Sequence, residues 1–119
     1  MDDAHDAEIQ VTVTHVDGAT VVAVDGELDA ASTPALSGPL SAAVAEGGAV
    51  VLDLSSVGFV DSTGLHAIID ARSEADERGG RLELCCEADG PVARVIEVAL
   101  PGMIELHPDR ESALAAAGD

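Results

Sequence analysis

Four consecutive residues, Asp61-Ser62-Thr63-Gly64, are the strongest candidates in this sequence for a functional site, because they lie between a predicted strand and a predicted helix. The continuous apolar segment Val50–Leu54 predicts a buried strand, Ser55–Val60 a loop, and Ser62 to about Glu77 a helix. Ligands of α/β proteins bind beyond the carboxyl ends of strands, where the free amides and positive dipole end of a helix also lie. The Ser62 hydroxyl is therefore a candidate nucleophile or recognition group, or else a plain helix cap.

The spacing of Ser62, His66 and Asp70 offers one enzymatic interpretation. Positions i, i+4 and i+8 share a helix face and would supply the nucleophile, base and orienting carboxylate of a serine hydrolase. However, no Gly-x-Ser-x-Gly turn surrounds Ser62, and no oxyanion hole is suggested. A straight helix would also have to aim both partners at one imidazole. The hydrolase stays an alternative, and we expect no catalytic residue.

The other reactive residues predict neither a metal site nor a bound cofactor. The histidines lack metal-ligand spacing, and the chain has no glycine-rich phosphate loop. Cys85 and Cys86 are adjacent at a strand end, so their side chains should point to opposite faces, one buried and one partly exposed. A bridge between neighbours would be strained, so both thiols are expected to be reduced, with a role that stays open.

Strands and helices alternate around the tetrad. Ile9–His15 has the alternation of a half-buried strand, and Asp17-Gly18 predicts a hairpin turn into Thr20–Val24. A helix start is expected at Ser32-Thr33-Pro34, with Pro39 kinking the helix or delaying its start. The remaining predicted elements are a strand at Arg81–Cys85, a helix opened by Asp89-Gly90-Pro91, a strand at Met103–Leu106 and a helix at Arg110–Ala117 capped by Asp109.

This order, β-β-α-β-α-β-α-β-α, predicts a single α/β domain. Strands joined through helices form parallel pairs with right-handed crossovers, whereas the first two strands form a hairpin. We therefore expect a mixed sheet that starts with a β-hairpin and has about four helices packed on it. Residues 1–8 are predicted to be a flexible acidic tail, and residues 9–117 the domain.

Composition narrows the class of partner. The 119 residues include 23 acidic residues, five arginines and no lysine, for a formal net charge of -18. Such a chain repels nucleic-acid phosphates and anionic membranes, so we expect neither as a partner. A natural partner would present arginine or lysine. The N-terminus lacks the features of a secretory signal and the apolar segments are too short to span a bilayer, which predicts a cytoplasmic protein.

Several segments carry a resemblance to a known family. They are the strand-loop-helix segment Val50–Leu65 with its Asp-Ser-Thr-Gly tetrad, Gly26-Glu27-Leu28-Asp29, Gly79-Gly80-Arg81-Leu82, and the final strand and helix. From about Ile9 to Ala117 the sequence resembles the STAS domain family, in particular the bacterial anti-sigma factor antagonists. The resemblance implies a STAS-like fold and a role in protein binding without enzymatic activity.

The resemblance also implies partner switching. In that family the serine of the tetrad is phosphorylated by an anti-sigma factor that is an ATP-using serine kinase. The matching position is Ser62, with Thr63 as the fallback. The unphosphorylated protein binds the kinase and frees a sigma factor, the phosphorylated form lets go, and a phosphatase resets it. The alternative within the family is a STAS subunit of a lipid-transport or stress-signalling complex that is not phosphorylated.

Six residues are implied to bind the partner: Asp29, Asp61, Ser62, Thr63, Gly64 and His66. Asp29 is expected beside the tetrad, although it could be a loop carboxylate or cap. Gly64 would let the partner's backbone approach, or serve as a simple turn residue. His66 departs from the small residue usual in the family, and is interpreted as a surface residue that could make binding pH-sensitive. The candidate docking face of the helix carries His66, Asp70, Ser73 and Glu77.

Overall fold

The computed structural model describes residues 9–118, and the predicted tail at residues 1–8 lies outside them. Within the described part, five strands and four helices follow in the predicted order. They are β1 (Gln10–Val16), β2 (Ala19–Leu28), α1 (Thr33–Ala45), β3 (Ala49–Val60), α2 (Ser62–Glu77), β4 (Arg81–Cys85), α3 (Pro91–Ala99), β5 (Leu106–His107) and α4 (Arg110–Ala117). None of the helices in this range is long and apolar enough to cross a membrane.

The five strands form one mixed sheet in the order β1-β2-β3-β4-β5. β1 and β2 are antiparallel, and the turn between them has positive φ angles at Asp17 (50°) and Gly18 (84°), as a tight hairpin requires. The other neighbouring pairs are parallel. The predicted α/β fold with a starting hairpin is confirmed.

The alternation of strand side chains divides the core into two clusters, one on each sheet face. The larger cluster joins α1, α2 and α3 to residues such as Val22, Leu52 and Leu84. The smaller cluster joins Ala113 and Ala117 of α4 to the opposite face. Three helices therefore cover one face and a single short helix covers the other.

The loop predicted at Ser55–Val60 is wrong, because β3 continues to Val60. The pairing with β2 shifts twice, between Ala23 and Asp25 and between Gly26 and Glu27, and β3 contributes one extra residue each time. These bulges interrupt the regular alternation while pairing with β2 resumes after each one. The sequence consequently lacks a strand pattern where a strand exists.

Helix α1 starts at Thr33, so the prediction that Pro39 delays its start is wrong, and the helix continues through Pro39 to Ala45. Pro39 removes one backbone donor, a cost of about 3 kcal/mol in an isolated helix interior. Packing outweighs this cost, since Leu36, Leu40 and Val44 are fully buried against the sheet.

Two edge strands differ from prediction. β1 is more exposed than the predicted half-buried strand, with Val13 46% exposed, because it forms the edge of the sheet. The last strand is Leu106–His107 and not Met103–Leu106, because Met103 donates to the Leu100 carbonyl in a turn (3.1 Å).

Cys85 and Cys86 lie in opposite core clusters, as the alternation predicted. The expectation that one thiol is partly exposed is wrong, because both residues are buried and free. Burial, reinforced by the Asp53 carboxylate, raises the pKa of the Cys85 thiol to about 12. Burial also raises the pKa of Cys86, so both thiols stay protonated at neutral pH.

Candidate functional site

The carboxyl ends of β2 and β3 meet beside the tetrad. Leu28 and Val60 are paired in the parallel register, and the Asp61 amide donates to the Leu28 carbonyl at 3.0 Å. Asp29 and Asp61 each follow one member of this pair, on strands that lie about 4.8 Å apart. Asp29 is thus placed beside the tetrad, the position that the family resemblance implied.

Asp61 caps helix α2. Its backbone is extended, and its Oδ1 accepts hydrogen bonds from the amides of Thr63 (2.9 Å) and Gly64 (3.2 Å). A carboxylate here satisfies two amides that have no partner in the helix and lies at the positive end of its dipole. The cap that the sequence left open for Ser62 is therefore supplied by Asp61.

Ser62 is the first residue of α2, and both Ser62 and Thr63 are exposed. Among residues 9–118, no group accepts a hydrogen bond from the Ser62 hydroxyl. This hydroxyl therefore faces solvent at a helix start that is already capped. An enzyme can reach it, and its modification breaks no contact of the fold.

Asp29 organises the turn between β2 and α1. Its Oδ1 accepts from the amides of Ala31 (3.0 Å) and Ser32 (2.9 Å), while its own amide donates to the Ser32 hydroxyl (3.0 Å). Hydrogen bonds from the Ser32 amide and hydroxyl lower the pKa of the Asp29 carboxyl, which is therefore charged at neutral pH. The carboxylate has a structural role, and its contact with a partner stays a prediction.

The sequence predicted buried Ser32 only as part of a helix start and gave it no role beside Asp29. Its hydroxyl donates to the Glu27 carbonyl and serves no cap of α1. The Asp-x-x-Ser spacing of Asp29 and Ser32 is the signal that could have identified this turn.

Gly64 is buried, and its surroundings explain why it is glycine. A Cβ at this position would lie 2.7 Å from Val60 Cγ2 and 3.0 Å from Leu28 Cβ. The missing side chain lets α2 pack closely against the ends of β2 and β3. This internal role differs from the approach of a partner's backbone, which stays a prediction.

The three residues of the hydrolase alternative do not assemble into a triad. Ser62, His66 and Asp70 are all exposed, and in the described chain no hydrogen bond joins any two of them. Ser73 and Glu77 are exposed on the same helix, so the predicted docking face is solvent-accessible. Residues 9–118 also contain no group of three side chains placed to hold a metal ion.

An ion pair that sequence reasoning missed supports the sheet below the site. Asp53 Oδ1 accepts a hydrogen bond from the Ser55 amide of the same strand (2.9 Å). Its Oδ2 lies 2.8 Å from Arg110 Nη2 at the start of α4. Burial raises the pKa of Asp53, but the bonds from Ser55 and Arg110 outweigh it and leave the pKa below its ordinary value.

The charges around the tetrad are acidic. Three arginines form ion pairs with acidic residues that lie outside the site: Arg78 with Glu74, Arg81 with Glu83, and Arg110 with Asp53. Glu27, Asp29 and Asp61 therefore leave the carboxyl ends of β2 and β3 negative. A basic surface would complement this edge.

Comparisons with known proteins agree with this geometry. The STAS domain family matches residues 10–113. The protein BtrV of Bordetella bronchiseptica, named as a candidate anti-sigma factor antagonist, is 30% identical over 112 residues, which cover 91% of this chain and 94% of that protein.

Two solved structures show the same fold. An anti-sigma factor antagonist from Mycobacterium paratuberculosis superposes with a TM-score of 0.82 at 29% identity, over 95% of this chain and 97% of that chain. The Bacillus cell fate determinant SpoIIAA, solved in its phosphorylated form, gives a TM-score of 0.66 at 20% identity, over 90% of this chain and 98% of that chain.

Proposed function

The chain belongs to the STAS domain family, and we propose that it is an anti-sigma factor antagonist switched by phosphorylation of Ser62. The role is regulatory: the chain is the substrate of a kinase and performs no catalysis itself. The observation that carries this proposal is the exposed Ser62 hydroxyl at a helix start that Asp61 already caps.

The partner is an anti-sigma factor that is an ATP-using serine kinase. Its docking surface carries basic residues, which complement the acidic edge around Asp29 and Asp61 and the net charge of -18. The unphosphorylated chain binds this kinase and frees a sigma factor. We place these events in the cytoplasm, where a phosphatase restores the unphosphorylated chain.

Phosphorylation changes the interface and leaves the fold intact. A phosphate adds about 1.5 to 2 negative charges. The helix dipole tolerates this charge, with a stabilisation of about 0.3–1 kcal/mol. The new charge lies beside Asp61, and it occupies surface that the unphosphorylated partner complex would cover. The modified chain therefore loses affinity without unfolding.

Transfer of phosphate tests the proposal. The purified chain is incubated with the anti-sigma factor kinase of its host and ATP, and its mass is measured. We expect the addition of one phosphate group, its loss in Ser62→Ala, and its retention in the matched Thr63→Ala. Loss in Thr63→Ala alone would move the switch to the fallback residue.

A second outcome would overturn the switch altogether. A stable complex with the kinase and no transfer would instead favour a STAS binding subunit that is not phosphorylated. Absence of both binding and transfer would remove the antagonist function.

A further inference from the structure

Phe59 stands out on the surface next to the tetrad. It is the only aromatic residue of the chain, and 46% of it is exposed. Aromatic rings are large apolar groups that proteins of this size normally bury. This one lies three residues before Ser62, at the carboxyl end of β3.

The second bulge of β3 is what exposes the ring. Val57 is buried in the larger cluster, and strict alternation from Val57 would place Phe59 on the same buried face. The extra residue between these two positions reverses the alternation, so that Val60 enters the core and Phe59 faces solvent. Bulges commonly re-aim side chains beside functional sites.

Acidic residues lie near Phe59 along the two paired strands. Phe59 is paired with exposed Glu27 across the parallel ladder, and Asp29 and Asp61 follow at the ends of the same two strands. An apolar group with an acidic border complements an apolar pocket with a basic rim. The exposed apolar ring and the acidic residues near it therefore indicate a partner surface that is apolar at its centre and basic at its rim.

We propose that Phe59 is the apolar anchor by which the chain docks on its anti-sigma factor, inserting into a pocket rimmed by arginine or lysine. The inference rests on the proposed function and adds a residue to its interface. Interface energy concentrates in a few buried aromatic anchors, whereas charged groups at the rim mainly set association rate and specificity.

Binding by variants tests the anchor. The affinity of the unphosphorylated chain for the purified anti-sigma factor kinase is measured by titration calorimetry. We expect Phe59→Ala to weaken Kd by about thirtyfold or more, the threshold of an interface hot spot. Phe59→Tyr keeps the ring and should bind within about threefold of wild type.

Val13→Ala is the matched control, because Val13 is equally exposed (46%) but lies on the edge strand β1. It should bind like wild type. Circular dichroism of each variant separates lost binding from lost folding. If Phe59→Ala does not fold, the affinity of folded Phe59→Tyr can still be measured. Wild-type affinity in folded Phe59→Ala, with Ser62→Asp failing to bind, would overturn the anchor and leave the proposed function standing. Absence of binding by wild type would overturn both.

Discussion

At the start of α2, two adjacent side chains have separate tasks. The Asp61 carboxylate holds the amides of Thr63 and Gly64, whereas the Ser62 hydroxyl bonds to none of the described residues. If Ser62 were the cap, a phosphate on its oxygen would remove a contact that the helix needs. Because Asp61 supplies the cap, Ser62 can be modified while α2 keeps its first turn.

This separation predicts different costs for two alanine substitutions. Asp61→Ala removes the cap and should lower the free energy of unfolding by about 0.5–2 kcal/mol. Ser62→Ala removes an exposed hydroxyl and should change it by no more than about 0.5 kcal/mol. Urea denaturation of both variants measures the difference. An equal loss in Ser62→Ala would mean that Ser62 takes part in the cap.

Gly64 gives a second prediction at this scale. Gly64→Ala forces a Cβ against Val60 and Leu28 and should destabilise the fold by about 1–3 kcal/mol, the usual cost of overpacking. Gly58→Ala is the control, since Gly58 is exposed in β3, has open space around it and should stay within about 1 kcal/mol of wild type. A thermal unfolding midpoint of Gly64→Ala that is no lower than that of Gly58→Ala would contradict the packing role of Gly64.

The position of the tetrad could be predicted from sequence, but the division of roles within it could not. Asp and Ser are equally good caps, so the choice depends on the residue at which the helix begins. The exposure of Phe59 was also hidden, because it depends on a bulge that no periodic pattern reveals. Burial of Cys86 follows from tertiary packing beyond the end of β4.

At the scale of elements, β3 connects the core to the site. The first half of β3 is buried on both faces. In its second half, two bulges interrupt the regular alternation of buried and exposed side chains before the strand ends at Val60. Helix α4 supports the strand from the less covered face through the ion pair between Arg110 and Asp53. The glycine and proline breaks made the order of elements predictable, whereas the extent of β3 depended on pairing with β2.

The ion pair predicts a pH-dependent stability. The pKa of Asp53 is lowered from its ordinary value of 3.8, so its contribution is present above that pH and is lost as pH falls through the folded-state value. Arg110→Ala leaves a mostly buried carboxylate without its partner and should cost about 1–3 kcal/mol at pH 7. Urea denaturation at pH 7 and below pH 3.8 should show the difference from wild type shrinking in acid.

Arg94→Ala is the control for this experiment, because Arg94 is an exposed arginine of α3 on a different element. It should leave stability within about 0.5 kcal/mol of wild type. An Arg110→Ala variant as stable as Arg94→Ala would show that the ion pair does not hold α4 against β3.

At the scale of the whole molecule, charge and shape favour one class of partner. The net charge of -18 directs the chain towards basic surfaces, and the exposed Phe59 supplies apolar area at the acidic edge. Long-range attraction mainly accelerates encounter, whereas the buried contact slows dissociation. Composition alone predicted the sign of the partner's charge, but the location of its contact required the fold.

Salt should therefore act on association. The association rate constant with the anti-sigma factor should fall about tenfold or more as ionic strength rises from low to high, with little change in dissociation. Surface plasmon resonance at a series of salt concentrations measures both rates. Phe59→Ala should keep the same salt slope, and an association rate that is independent of salt would contradict electrostatic attraction.

The most direct test compares the chain before and after phosphorylation of Ser62. Calorimetric titration of the anti-sigma factor with each form should give a Kd about tenfold or more weaker for the phosphorylated chain, because the bulky phosphate occupies surface that the complex would cover and would have to lose its hydration there. Circular dichroism and urea denaturation should show the same fold in both forms. Equal affinity of the two forms, or unfolding on phosphorylation, would contradict an exposed hydroxyl acting as the switch.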